Sequence, residues 1–241
     1  MAGNTDLEAG TPGAGPGVRR KRRGRRWLLG TILVVVVIGV LSVLLVKPAD
    51  GAPPLALPPG PGSVPAGAGS VDGAWTVGAG SLAGFRFRQT SLGKNSDVVG
   101  RTSAVTGNAV VAANRLSQAT FTVDLTTIKV KGKIPPQFTK SLDTATDPQA
   151  KLTLTRPITL GSEVNKGAVL TLTATGNLTL HAVTRPVTFT ISARRNGSNL
   201  ETVGSIPITY SDWNIKPPKS YGAIGSIANH GSAEFLLVLH R

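Results

Sequence analysis

The sequence predicts an all-β domain, and three features carry that expectation. Charged residues make up only 16% of the chain, against an average near about 25%, while Thr, Val, Leu, Gly and Ala dominate. Apolar and polar residues alternate with period two in several separate runs. Beyond Ser70 no stretch shows a helical period of ten or more residues. Strands with one buried and one wet face produce this pattern.

Residues 1–26 are read as a disordered basic tail, rich in Gly, Pro and Ala before Arg19. Residues 27–46, WLLGTILVVVVIGVLSVLLV, carry no charge and are expected to form a transmembrane helix, since twenty residues at about 1.5 Å each span roughly 30 Å. Seven Lys or Arg stand between Arg19 and Arg26, and only Lys47 follows the run directly. The positive-inside rule then makes the chain single-pass in the plasma membrane, with a cytoplasmic N-terminus and an extracytoplasmic C-terminal domain. A cleaved secretory signal shares the basic-then-apolar order, but the apolar run is long for one. Its nearest small-x-small pattern, Ala66-Gly67-Ala68, lies far downstream.

Residues 47–70 hold seven Pro and five Gly and are read as a semi-stiff linker, because such a composition builds no core of its own. The remaining 171 residues, 71–241, carry the alternation. It runs strictly from Ala119 to Leu125 and recurs in Phe85–Arg88, Leu152–Thr155, Leu170–Thr173, Val187–Ile191 and Ile206–Tyr210. Turn signals at Asn114-Arg115, Asn165-Lys166-Gly167 and Asn196-Gly197-Ser198 separate the runs. One short helix is expected from Gln137 to Leu142. About eight short antiparallel strands suit an up-and-down barrel or a sandwich, and closure into a barrel best removes exposed edges.

The formal charge is +14, but residues 71–241 hold eighteen Lys or Arg against nine acids, thinly spread. That argues against a nucleic-acid groove. The absence of cysteine excludes disulfides, a thiolate nucleophile and a Cys-based zinc site. No G-x-S-x-G, H-E-x-x-H or P-loop is found, and no paired His and carboxylate at ligand spacing. The expectation is a protein that is not an enzyme and uses no cofactor or metal.

Five segments in order resemble the YceI family, lipocalin-like bacterial β-barrels that bind polyisoprenoids. The strongest runs from Thr175 to Val187, TGNLTLHAVTRPV, similar to the family's G-x-L-T-x-H-G-V-T-K-P-V. The others are Trp75-Thr76-Val77 with Ser81 and Phe85, Val123-Asp124-Leu125 with Ile128, Leu142-Asp143 with Asp147-Pro148, and Ile206–Ile215 with Asp212-Trp213. The resemblance spans residues 73–241. Ala182 departs from the family's usual Gly, and Leu142-Asp143-Thr144 replaces an aromatic-rich segment.

The resemblance implies an apolar cavity that holds an isoprenoid lipid of the polyprenyl phosphate or quinone class. Parity puts Phe85, Phe87, Phe121, Val123, Leu125, Leu152, Leu154, Leu172, Phe189 and Tyr210 on the inner face, where they contact a ligand or fill an ordinary core. Trp213 would lie over the cavity opening or cap the core. Arg101, Lys129 and Lys131 are candidate head-group contacts, or a solvated basic surface. His181 could bond a head group or a facing backbone. The expected function is a membrane-anchored lipid-binding protein for storage, transport or sequestration. The alternative is an exported adhesion or envelope-interaction domain with a filled core.

Overall fold

A computed structural model of the chain describes residues 51–60, 69–217 and 225–241, all within one compact unit, Pro48–Arg241. Eleven strands form one antiparallel sheet. They are β1 (Gly73–Val77), β2 (Leu82–Ser91), β3 (Lys94–Thr102), β4 (Val105–Ala112), β5 (Arg115–Asp124), β6 (Gln149–Leu154), β7 (Ile158–Thr159), β8 (Leu170–Leu180), β9 (Val183–Asn196), β10 (Asn199–Thr209) and β11 (Gly225–His240).

Eight of these close a ring in the order β1, β4, β5, β6, β8, β9, β10, β11, because β1 pairs with β4 on one side and β11 on the other. The long strand β11 gives its Leu239 and His240 to β1, and its residues from Gly225 to Leu236 to β2. The β2–β3 hairpin therefore continues the wall where β1 stops. A barrel of about eight strands has an interior just wide enough for side chains or one small ligand.

Two-residue turns join β2 to β3, β4 to β5, β8 to β9 and β9 to β10. Leu92-Gly93, Ala113-Asn114 and His181-Ala182 each have positive φ at both turn residues, the twist that suits a tight hairpin. At Ala182, φ is 58°, so the methyl group sits in a conformation that costs an L-residue about 1–2 kcal/mol. That explains why the family pattern has Gly there. The short helix α1 occupies Pro136–Ser141, with Pro136 at its first position, where no N–H is needed.

The expectation of a membrane-spanning helix ahead of the barrel is corrected. No helix among the described residues is long and apolar enough to cross a membrane. The only α-helix among them, α1, has six residues, about 9 Å against the roughly 30 Å of a bilayer core. Residues 27–46, on which the expectation rested, lie outside the described residues, as does the basic tail of residues 1–26. The anchor, the single-pass topology and the plasma-membrane location are withdrawn, and the fold class is the antiparallel barrel alone.

Candidate ligand-binding cavity

Alternation along each strand decides what faces the interior. On β2, Phe85 and Phe87 pair with Ala233 and Gly231 of β11 and turn inward, while Arg86 between them bonds Glu234 and Asp97 on the outer wall. On β11, Ala233, Phe235 and Leu237 face inward. The enclosed space divides into two lobes that share Phe121, Leu152, Phe235 and Leu237.

The outer lobe has a volume of about 160 Å³. Phe85, Phe87 and Phe138 form an aromatic cluster on its wall, with ring centroids 4.9–5.7 Å apart. Ile206, Ile208, Leu178, Leu180 and Tyr210 complete much of its lining. Burial pushes the Tyr210 phenol up to about 12, because a phenolate would lose its hydration among these side chains. Leu142 from the loop after α1 and Ile215 also reach this lobe.

The inner lobe is smaller, about 80 Å³, and aliphatic, lined by Ala109, Val111, Leu116, Ala119, Ala174 and Leu200 among others. Phe189 and Phe235 meet edge to face at 6.0 Å on its wall. Thr202 also lines it, and its buried hydroxyl has no hydrogen-bond partner. Beyond Ala109, its pairing partner Trp75 is fully buried. The indole Nε1 donates to the Val71 carbonyl at 2.8 Å, and Val71 N–H donates to Asn165 Oδ1 at 2.9 Å. Arg241 lies over the indole, 4.9 Å from its centroid. Arg195 is buried near this end, and burial first, then the charge of Arg241, lowers its pKa.

Phe85, Phe87, Phe121, Val123, Leu125, Leu152 and Tyr210 line the outer lobe, and Phe121, Leu152, Leu154 and Phe189 the inner one. Leu172 packs against the core without lining either lobe. Trp213 is buried in the core cluster rather than over an opening, and its Nε1 has no partner. Sequence reasoning missed Phe138, Leu142, Ile208 and Phe235. Of these, Phe235 matters most, since it belongs to both lobes and forms part of the waist between them.

None of Arg101, Lys129, Lys131 and His181 lines either lobe. A backbone bridge brings Lys129 beside Arg101, and Lys131 is exposed on the turn that follows. Arg101 turns to the outer wall, where its Nη2 lies 3.6 Å from Glu234 and donates to the Pro53 carbonyl.

At the β8–β9 turn, His181 Nδ1 lies 2.9 Å from the Trp213 carbonyl. A carbonyl only accepts, so Nδ1 donates this bond. Among the described residues, His181 with Asp143 and Asp147 is the one group whose ligating atoms, within 4.8 Å of one another, could hold a cation. Tertiary structure assembles it from two segments, which is why no sequence spacing pointed to it.

Residues 75–236 match the YceI-like domain family. A polyisoprenoid binding domain from Saccharophagus degradans implicated in plant cell wall breakdown is similar in structure, with a TM-score of 0.55 and 15% identity over 69% of this chain and 97% of its own. BcnA from Burkholderia cenocepacia is similar with a TM-score of 0.51 and 19% identity, over 67% and 98% respectively. At these identities the two structures bear on the fold alone. No functionally curated protein matches the chain.

Proposed function

The chain belongs to the YceI-like domain family, and from that premise we propose that its barrel binds an isoprenoid-type lipid, burying the tail in the two-lobed cavity for storage, transport or sequestration. Members of the family are non-catalytic lipid-binding barrels. The observation that carries the reading is the cavity itself, lined almost throughout by apolar side chains. An adhesion domain would need no such space. The similar Saccharophagus domain, described as polyisoprenoid binding, supports the same ligand class here.

The physical logic is transfer of hydrocarbon out of water, worth about 0.8 kcal/mol per buried CH₂. A dry apolar cavity of about 150 Å³ is known to take a benzene-sized guest. The outer lobe, at about 160 Å³, thus suits a ring or a short run of tail. A longer chain must also fill the inner lobe, and for that the rings of Phe121 and Phe235 have to move aside. The head group stays at the outer end, where the loop after Ile128 brings Lys129 and Lys131 and the turn after Leu180 brings His181. Arg101 is committed to Glu234 and Pro53 and is the weakest of the four candidates.

Organic extraction of the purified protein followed by mass spectrometry tests the reading, together with titration by polyprenyl lipids and quinones. A bound or accepted isoprenoid is expected. A protein that neither carries nor takes up such a lipid would overturn it.

A further inference from the structure

Residues Gly51–Gly60, GAPPLALPPG, belong to the stretch expected to serve as a linker, and they lie against the outer wall of the barrel. Three arginines on that wall hold them. Arg86 Nη2 donates to the Ala52 carbonyl at 2.7 Å, Arg101 Nη2 to Pro53 and Arg194 Nη2 to Pro58. Each guanidinium is fixed by a carboxylate on the wall. Arg86 bonds Glu234 at 2.6 Å and Asp97 at 3.1 Å, Arg101 lies 3.6 Å from Glu234, and Arg194 bonds Glu201 at 2.7 Å. The three arginines face three acids, and Arg88, 3.8 Å from Asp97, adds one further cation, so where the segment sits the charge is largely balanced and the wall offers N–H donors.

That chemistry selects its occupant. A guanidinium only donates, and a segment laid across a wall of donors would leave its own N–H groups without acceptors, at a cost. Proline has no N–H, and four of the ten residues are Pro. Main-chain carbonyls without intrachain partners are what a polyproline-type segment presents.

The fit is also steric and apolar. An added Cβ at Gly51 would lie 2.5 Å from the Asp97 carbonyl oxygen and 2.9 Å from Val99 Cγ2, and at Gly60 it would lie 2.7 Å from Arg194 Nη1. At Gly51 the neighbour is backbone, so the approach is as close as only glycine allows, whereas at Gly60 it is the end of the Arg194 side chain, which can shift. Between the anchor points, alternation turns Leu236 and Val238 of β11 outward, yet each is no more than 8% exposed. Leu55 and Leu57 of the segment are half-buried.

We propose that the outer face of β3, β2, β11, β10 and β9 is a recognition surface for uncharged, proline-rich segments, and that Gly51–Gly60 is its resident occupant, bound in cis. A proline-rich segment is already close to its extended bound conformation when free, which lowers the ordering cost of seating it. Tethering gives the resident segment an effective concentration on the order of millimolar, so a peptide in trans competes poorly while it is seated.

The chain has no cysteine, so a nitroxide on Ala56→Cys in the full-length protein reports the segment alone. An immobilised spectrum is expected, becoming mobile in Leu55→Asp/Leu57→Asp. Those changes lie on the segment and leave the barrel core intact. A labelled GAPPLALPPG peptide should then bind the displaced protein at least tenfold more tightly than the unaltered one. A label equally mobile in both proteins would overturn the seating. Failure of the displaced protein to take up peptide at millimolar concentration, or equal binding to both, would overturn the recognition surface.

Discussion

The outer and inner lobes share Phe121, Leu152, Phe235 and Leu237, yet they are built from different materials. The outer lobe has the Phe85, Phe87 and Phe138 rings and a buried phenol, flat surfaces suited to a rigid unsaturated group. The inner lobe has alanines and branched aliphatics, and its Ala109 pairs with Trp75, whose indole is tied to Val71 and covered by Arg241. Aromatic faces can orient a ring, whereas small aliphatics only measure volume. Under the lipid binding proposed above, the outer lobe would discriminate head groups and the inner one chain length.

Trp75→Ala should have the largest effect on this contrast. It removes a fully buried side chain beside the lining residue Ala109, at a cost of about 3–5 kcal/mol. Chemical denaturation would show the loss as a lower midpoint. Phe235→Ala attacks the waist. It should cost about 3 kcal/mol and merge the lobes, so that the longest isoprenoid retained after extraction becomes longer. An unchanged length distribution would detach Phe235 from chain-length selection.

Tyr210 is the polar test of the outer lobe. Its folded pKa, near 12, exceeds the ordinary value of about 10, so the folded state holds the proton longer than the unfolded one. The contribution to stability is complete below about pH 10 and is lost as pH rises towards about 12. Absorbance titration of phenolate should therefore show one tyrosine ionising late, and Tyr210→Phe should remove that late transition. Thr202→Val, the smallest change, tests the inner lobe. Replacing the unpartnered hydroxyl by a methyl group should raise stability by about 1 kcal/mol, read as a small increase in melting temperature.

Most of the wall was legible because one face of most strands is wet. Ala119–Leu125 alternates cleanly, and its Phe121 and Val123 do line the outer lobe. Strand β11 was not legible, although it is the longest at sixteen residues. Its run Phe235–Leu239 is apolar at every position, because Phe235, Leu237 and Leu239 face the cavity while Leu236 and Val238 are buried on the outer side. A strand buried on both faces has no period two. Phe235 was hidden for that reason, and Phe138 because it comes from a helix rather than a strand.

The charged candidates failed differently. Arg101 looked available because its partner Glu234 is distant in sequence, and the two meet only through the pairing of β3 with β2 and of β2 with β11. Composition also concealed the placement of Gly51–Gly60. Such a segment builds no core, but its carbonyls can be read by donors elsewhere in the chain.

The central claim is that hydrocarbon is buried in both lobes, and a titration of the purified protein with isoprenoid alcohols of increasing length tests it most directly. Affinity should rise by at least about tenfold per added isoprene unit until both lobes are filled, then level off, with the plateau shifted to longer chains in Phe235→Ala. Affinity independent of chain length would contradict the claim.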